Sequence, residues 1–131
     1  MITAVDTNIL IDVLFDDQTN RSHSVNLIRR AYNSGAIVVS SVVYAELASA
    51  IPDRRELDNA LAFASITVSL IDSAAAFEAG RRWRQYRQSG GPRTRIIADF
   101  LIGAHALLKA DRFITRDRGF FSTYFPELDT D

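Results

Sequence analysis

The chain has 131 residues, 47% of them hydrophobic, which describes one ordinary domain able to build a real core and excludes a disordered chain. It has no cysteine, so disulfide scaffolds, thiol catalysis and cysteine-based zinc sites are excluded as well. The formal net charge of −1 argues neither for nor against nucleic acid; no apolar run nears ~20 residues, MITAVD shows no signal peptide, and a cytoplasmic protein is expected.

Ile2 to Val5 reads as a short buried strand, and it ends on Asp6. Thr7 to about Phe15 has helical spacing, with Ile9, Leu10, Val13 and Leu14 apolar and Asp12 on the polar face. DDQTNR (16–21) is a polar loop holding Asp16 and Asp17. Ser22 can cap a helix that runs to Ser34 and ends at Gly35. AIVVS (36–40) is a second strand, rich in β-branched residues. Ser41 to Ala50 is helical, Pro52 stops it, and Asp53 caps another helix to about Ala64. SITVSLI (65–71) is a third strand. Asp72 caps a long helix to about Ser89, and Gly90-Gly91-Pro92 breaks the chain. Thr94 or Arg95 opens a helix to about Ala110, RFIT (112–115) is a fourth strand, and the tail is less regular. Strands alternate with helices, which implies a single α/β domain: a parallel sheet of about four to five strands, flanked by helices on both faces.

Sites in open parallel sheets form outside the carboxyl ends of the strands. Asp6 closes the first strand there. Glu46 lies in the second turn of the helix leaving the second strand, and Asp117 follows the fourth strand by two residues. Asp99 lies about one turn into a helix that must start at the same edge to deliver the chain to the fourth strand. Each acid has an ordinary reading by itself: Asp6 as a helix cap, Glu46 in a salt bridge, Asp117 in a turn. Asp99 is harder to explain, since IIADFLIGAHALL is the most apolar stretch of the chain. Together they place four carboxylates, from four segments, at one edge. Converging anions repel and raise one another's pKa, and a hard divalent cation resolves this. Oxygen ligands without cysteine point to Mg²⁺, or Mn²⁺, rather than zinc.

Residues 81–95, RRWRQYRQSGGPRTR, hold six arginines and no acid. Arginine suits bidentate phosphate contacts, and Arg82, Arg87, Arg93 and Arg95 are the candidates for them, although a solvated helix face would read the same way. Trp83 and Tyr86 could stack bases, but core packing is the expected role for Trp83. His105 and His23 have no companions, so a histidine-based zinc or acid–base site is not expected.

The motifs resemble those of the PIN-domain family and, within it, the VapC-type toxins of toxin–antitoxin pairs. VDTNILIDVL resembles the opening strand and helix, with Asp6 as first acid. VVYAELASAI resembles the motif that carries Glu46. IIADFLIGAHALLKADRFITRDRGF resembles the last two motifs joined, with Asp99 and Asp117. The resemblance runs from Ile2 to about Phe125. Gly103 and His105 stand where family members often carry alanine, and a final edge strand is expected to be short or missing. The resemblance implies a metal-dependent endoribonuclease with Mg²⁺ or Mn²⁺ on Asp6, Asp99, Asp117 and Glu46, and with Thr115 and Asn8 assisting them. It also implies an RNA substrate, a homodimer, and a VapB-like antitoxin whose C-terminal segment covers the site.

Three alternatives have sequence tests. A phosphohydrolase of the haloacid-dehalogenase type wants Asp-x-Asp at the first strand, and here the third position is Asn8. A receiver-like domain wants paired acids near the start and a late lysine, and neither is seen. A non-catalytic PIN-like RNA-binding protein would be signalled by loss of an acid, and all four are present.

Overall fold

β1 (Ile2–Val5) is the strand around which the sheet is built. Its residues Thr3, Ala4 and Val5 are all buried, as a strand covered on both faces must be. The computed structural model describes residues 1–15, 19–92 and 95–130. β2 (Ala36–Ser40) and β4 (Arg112–Ile114) flank β1, and β3 (Ile66–Ser69) lies beyond β2. The order is β3-β2-β1-β4 and every pairing is parallel. Ala4 stands opposite Val38 on one side and Phe113 on the other.

Seven helices among the described residues make the connections. α1 (Thr7–Leu14) and α2 (Arg21–Ser34) join β1 to β2, and α3 (Ser41–Ala50) and α4 (Arg54–Phe63) join β2 to β3. α5 (Ser73–Gln88) and α6 (Ile97–Lys109) carry the chain back past β2 and β1 to β4, and α7 (Arg118–Tyr124) follows. The first two connections step outward and the third leaps back. Right-handed crossovers therefore put their helices on opposite faces of the sheet. α6 packs on β1, β2 and β4, and α5 packs on α6. The reversal of direction opens a crevice between the carboxyl ends of β1 and β4.

Four of the largest fully buried side chains lie where α6, β4 and the chain around α7 meet. Phe100, Phe113, Phe121 and Phe125 are fully buried there, and the Phe113 and Phe121 rings meet edge to face with centroids 4.8 Å apart. Each such side chain contributes roughly 1.5–3 kcal/mol by leaving water. No helix among the described residues is long and apolar enough to cross a membrane.

Several boundaries differ from the sequence reading. α2 begins at Arg21, so Ser22 is inside its first turn and Asn20, the N-cap residue, makes no side-chain capping bond. β3 is shorter than 65–71, because Ser65 takes a left-handed φ of 59° and starts the strand late. α6 starts at Ile97, after Arg95. Asp99 accepts the Ile96 N–H at 3.2 Å and so closes the first turn itself. Thr94, Arg93, Asp16 and Asp17 lie outside the described residues. The tail is more regular than expected, since Phe120, Phe121 and Tyr124 give α7 an apolar face for the core. No fifth strand forms among the described residues. Instead, the Phe113 N–H on the outer edge of β4 donates to the Asp129 carbonyl at 2.8 Å.

Candidate active site

Asp6 leaves β1 with its N–H donated to the Ile114 carbonyl at 2.9 Å, which fixes it at the β1–β4 crevice. Its carboxylate serves two structures at once. Oδ1 accepts the Thr7 N–H at 2.8 Å and caps α1. Oδ2 accepts the Thr115 hydroxyl at 2.7 Å and the Asn8 amide at 3.3 Å. Thr115 in turn accepts the Asp117 N–H at 2.9 Å, so the turn after β4 is tied to the end of β1. Asp6 is therefore the N-cap of α1 and is tied at the same time to the turn after β4.

Asp6 is 6% exposed. Burial pushes its carboxyl up to about 6, against the bonds from Thr115 and Thr7 that hold it down, and the charges of Glu46 and Asp117 push it further up. Glu46 arrives from α3, where its Oε1 accepts the Thr7 hydroxyl at 2.5 Å. Asp117 and Asp99 are linked by a cation: Arg95 Nη1 lies 2.6 Å from Asp117 Oδ2 and 3.9 Å from Asp99 Oδ1. The Arg95 guanidinium also lies over the Phe120 ring, 4.3 Å from its centroid. Asp6 thus feels the charges of Glu46 from α3 and of Asp117 from the turn after β4, and Arg95 joins Asp117 to Asp99 of α6.

An ion pair between a buried acid and a partly exposed arginine ties α1 to the turn after β4. Asp12 is 0% exposed and accepts Arg116 Nε at 2.8 Å and Nη2 at 3.0 Å, together with the Ser24 hydroxyl at 2.6 Å. The Arg116 N–H donates to Asn8 Oδ1 at 3.1 Å. Asp12 does not lie on a solvent face, as the helical pattern had placed it. Its neighbour on that face is an arginine more than a hundred residues away in sequence, which periodicity cannot see. The only signal available was an acid set inside the apolar run ILIDVL.

The arginines divide. Arg82 is committed to Glu78 and Glu127, donates to the Tyr124 carbonyl at 3.0 Å, and lies over Phe125. Its role in the structure is to join α5 to the chain after α7. Arg87 is exposed and stacks on Trp83 at 4.2 Å. A groove lined by Trp83, Tyr86, Arg87, Gly90, Gly91 and Arg95 leads to the guanidinium at the acids. Arg93 lies outside the described residues. His105 is buried and shares a hydrogen bond with Ser69 Oγ at 2.9 Å, the role of a satisfied core histidine.

The sequence profile of the PIN domain matches residues 3–126. The chain belongs to the PIN-domain family. None of the curated proteins matches it. Among solved structures, VapBC-1 from nontypeable Haemophilus influenzae is similar over 100% of this chain and 97% of its own, with 22% identity and a TM-score of 0.75. VapBC2 from Rickettsia felis, bound to a DNA fragment from its promoter, covers 100% and 98% at 20% identity, with a TM-score of 0.74. DNA-bound VapBC from Salmonella typhimurium covers 100% and 97% at 21% identity, with a TM-score of 0.70. At these identities the likeness establishes that the PIN fold is shared across the whole chain.

The donor set suits a hard divalent cation. Every candidate ligand is a carboxylate oxygen, the donor type that such an ion prefers. Among the described residues no three acids stand close enough to hold one ion in this conformation. The positive charge that Asp117 and Asp99 meet here is Arg95.

Proposed function

We propose that this PIN-domain protein is a metal-dependent endoribonuclease, the toxin of a VapBC-type toxin–antitoxin pair. The observation that carries the reading is the crevice at the β1–β4 switch point, where Asp6, Glu46 and Asp117 act on one another electrostatically and Arg95 connects Asp117 to Asp99. Asp6, Asp99 and Asp117, with Glu46, are the residues that would hold Mg²⁺ or Mn²⁺. The bound ion would supply Lewis acidity toward a scissile phosphate and a lowered pKa for attacking water.

The chain's own residues do the rest. Thr7 and the Glu46 carboxylate form a pair at the rim, with Glu46 suited to orient the water. Thr115 and Asn8 hold Asp6 in one orientation, which leaves its carboxylate no freedom to turn away. In-line attack then leaves a 5′-phosphate and a 3′-hydroxyl. The groove running from Trp83 and Arg87 to Arg95 offers a guanidinium and a ring face to a single strand of RNA. A nuclease of this kind needs restraint. The toxin–antitoxin complexes among the similar structures support a VapB-like antitoxin as partner; in this reading it covers the crevice, the assembled unit is a homodimer and the compartment is the cytoplasm.

Purified, antitoxin-free protein is to be given a pool of structured RNAs with Mg²⁺, Mn²⁺ or EDTA. Discrete cuts are expected, lost in EDTA and reduced at least about 100-fold by Asp99→Asn. RNA bound but left uncut by folded, metal-loaded protein would instead favour the non-catalytic RNA-binding reading, which the Arg95 contacts also accommodate.

A further inference from the structure

Arg95 stands just before α6, at the end of the groove and in contact with the acids. Its guanidinium has three partners: Asp117 at 2.6 Å, Asp99 at 3.9 Å and the face of Phe120. Two of the three are acids to which the metal reading assigns a cation, and the third fixes the plane of the guanidinium. Its side chain is 30% exposed, so the contact is partly shielded from solvent but open to exchange. The other arginines contact different groups: Arg82 meets Glu78 and Glu127, and Arg116 meets Asp12.

We infer that Arg95 is a built-in counter-ion that competes with the divalent cation for Asp99 and Asp117, so that metal binding requires its release. The inference rests on the metal reading above. The Asp117 oxygen 2.6 Å from the guanidinium nitrogen directs one lone pair at that donor, so an ion cannot approach it from the same side, and the guanidinium charge beside Asp99 repels a cation there. The apparent metal affinity is then the intrinsic affinity reduced by the fraction of molecules in which Arg95 has let go. Release has a second effect. Arg95 lines the groove, so the freed guanidinium is available to an RNA phosphate at the moment the acids take up the ion. By linkage, metal and RNA phosphate then favour each other's binding. The device keeps the acids neutralised in the metal-free protein without a second chain.

The test measures Mn²⁺ binding directly, by electron paramagnetic resonance of the free ion, with no RNA present. The wild type is compared with Arg95→Ala, Arg95→Lys and Arg84→Ala, the last removing an exposed charge on α5. Arg95→Ala is expected to bind Mn²⁺ about tenfold more tightly, if roughly nine in ten molecules hold the contact. Arg95→Lys, which keeps the charge but loses the planar fork, should fall between them, and Arg84→Ala should match the wild type. Equal affinity in wild type and Arg95→Ala, with binding seen in both, would overturn the inference and leave the metal reading intact. An equal gain in Arg84→Ala would also overturn it, since net charge alone would explain the change. Binding by none of the four would overturn the metal reading and the inference with it.

Discussion

Thr115 donates its hydroxyl to Asp6 at 2.7 Å across 109 residues of chain, and through the same oxygen it receives the Asp117 N–H. One oxygen atom therefore sets the position of one acid and the approach of another. The bond to Asp6 also holds that carboxyl down against burial.

Thr115→Val keeps the shape of the side chain and removes both bonds. The Asp6 carboxyl should then titrate above about 6, and the Asp117 N–H should be left without its partner. A loss of about 1–3 kcal/mol follows from a polar group left unpaired. Carbon-detected NMR of the Asp6 carboxyl and urea unfolding check the two parts separately. A titration unchanged from the wild type would show that the bond contributes nothing.

Asp6 makes the metal-free protein sensitive to pH in an unusual direction. Its folded value of about 6 lies above the ordinary 3.8, so the folded state binds the proton more tightly. The stabilisation is complete below about 4 and is lost as pH rises through about 6, amounting to about 3 kcal/mol. Asp6→Asn should flatten this dependence and stabilise the metal-free protein at neutral pH. Mg²⁺ should raise the neutral-pH melting temperature of the wild type far more than that of Asp6→Asn. Calorimetry at pH 4.5 and 7.5, with and without Mg²⁺, reads all four conditions.

Arg116→Ala should be among the most destabilising single changes at the site. It leaves Asp12 with Ser24 as its one remaining donor among the described residues, and removing one partner of a fully buried pair would cost about 3–5 kcal/mol. The exposed part of Arg116 moderates this, so about 3 kcal/mol is expected. Replacing Asp12 as well, by Asn in Arg116→Ala, should recover part of the loss. A double-mutant cycle showing no coupling would mean that the pair does not brace the turn.

Gly103→Ala tests a departure from the family pattern. A Cβ at 103 would stand 2.5 Å from the Phe125 ring, and Phe125 is 0% exposed. Overpacking of about 1–3 kcal/mol is expected, seen as a lower urea midpoint at unchanged slope. Gly103→Ala with Phe125→Leu should recover stability relative to Gly103→Ala alone.

Much of this was legible in the sequence. The alternation of AIVVS-like runs with helical periods named the parallel sheet, and the end of the first strand named the place where Asp6 meets Thr115. Asp53 and Asp72 were read as caps and do cap α4 and α5. What escaped was non-local. Asp12 and Arg116 meet only because β4 lies beside β1, and Arg95 finds Asp117 only because α6 returns to the same edge. A pattern read along one helix carries no information on what another segment brings to it. The Phe120, Phe121 and Tyr124 face of α7 was missed for a different reason: with seven residues it is too short for a periodic pattern to stand out.

The strand order has a consequence for how the chain is made. β1 emerges from the ribosome more than a hundred residues before its β4 neighbour, which begins at Arg112. During most of synthesis the central strand has one open side, and contacts of such long sequence separation form slowly. A nascent chain released only through α6 would carry Asp6, Glu46 and Asp99 but lack Thr115 and Asp117. Whatever chemistry the crevice performs must therefore wait for β4 and the turn after it. A chain interrupted before that point would be an incomplete fold exposing a sticky strand edge, not a weaker version of the finished protein.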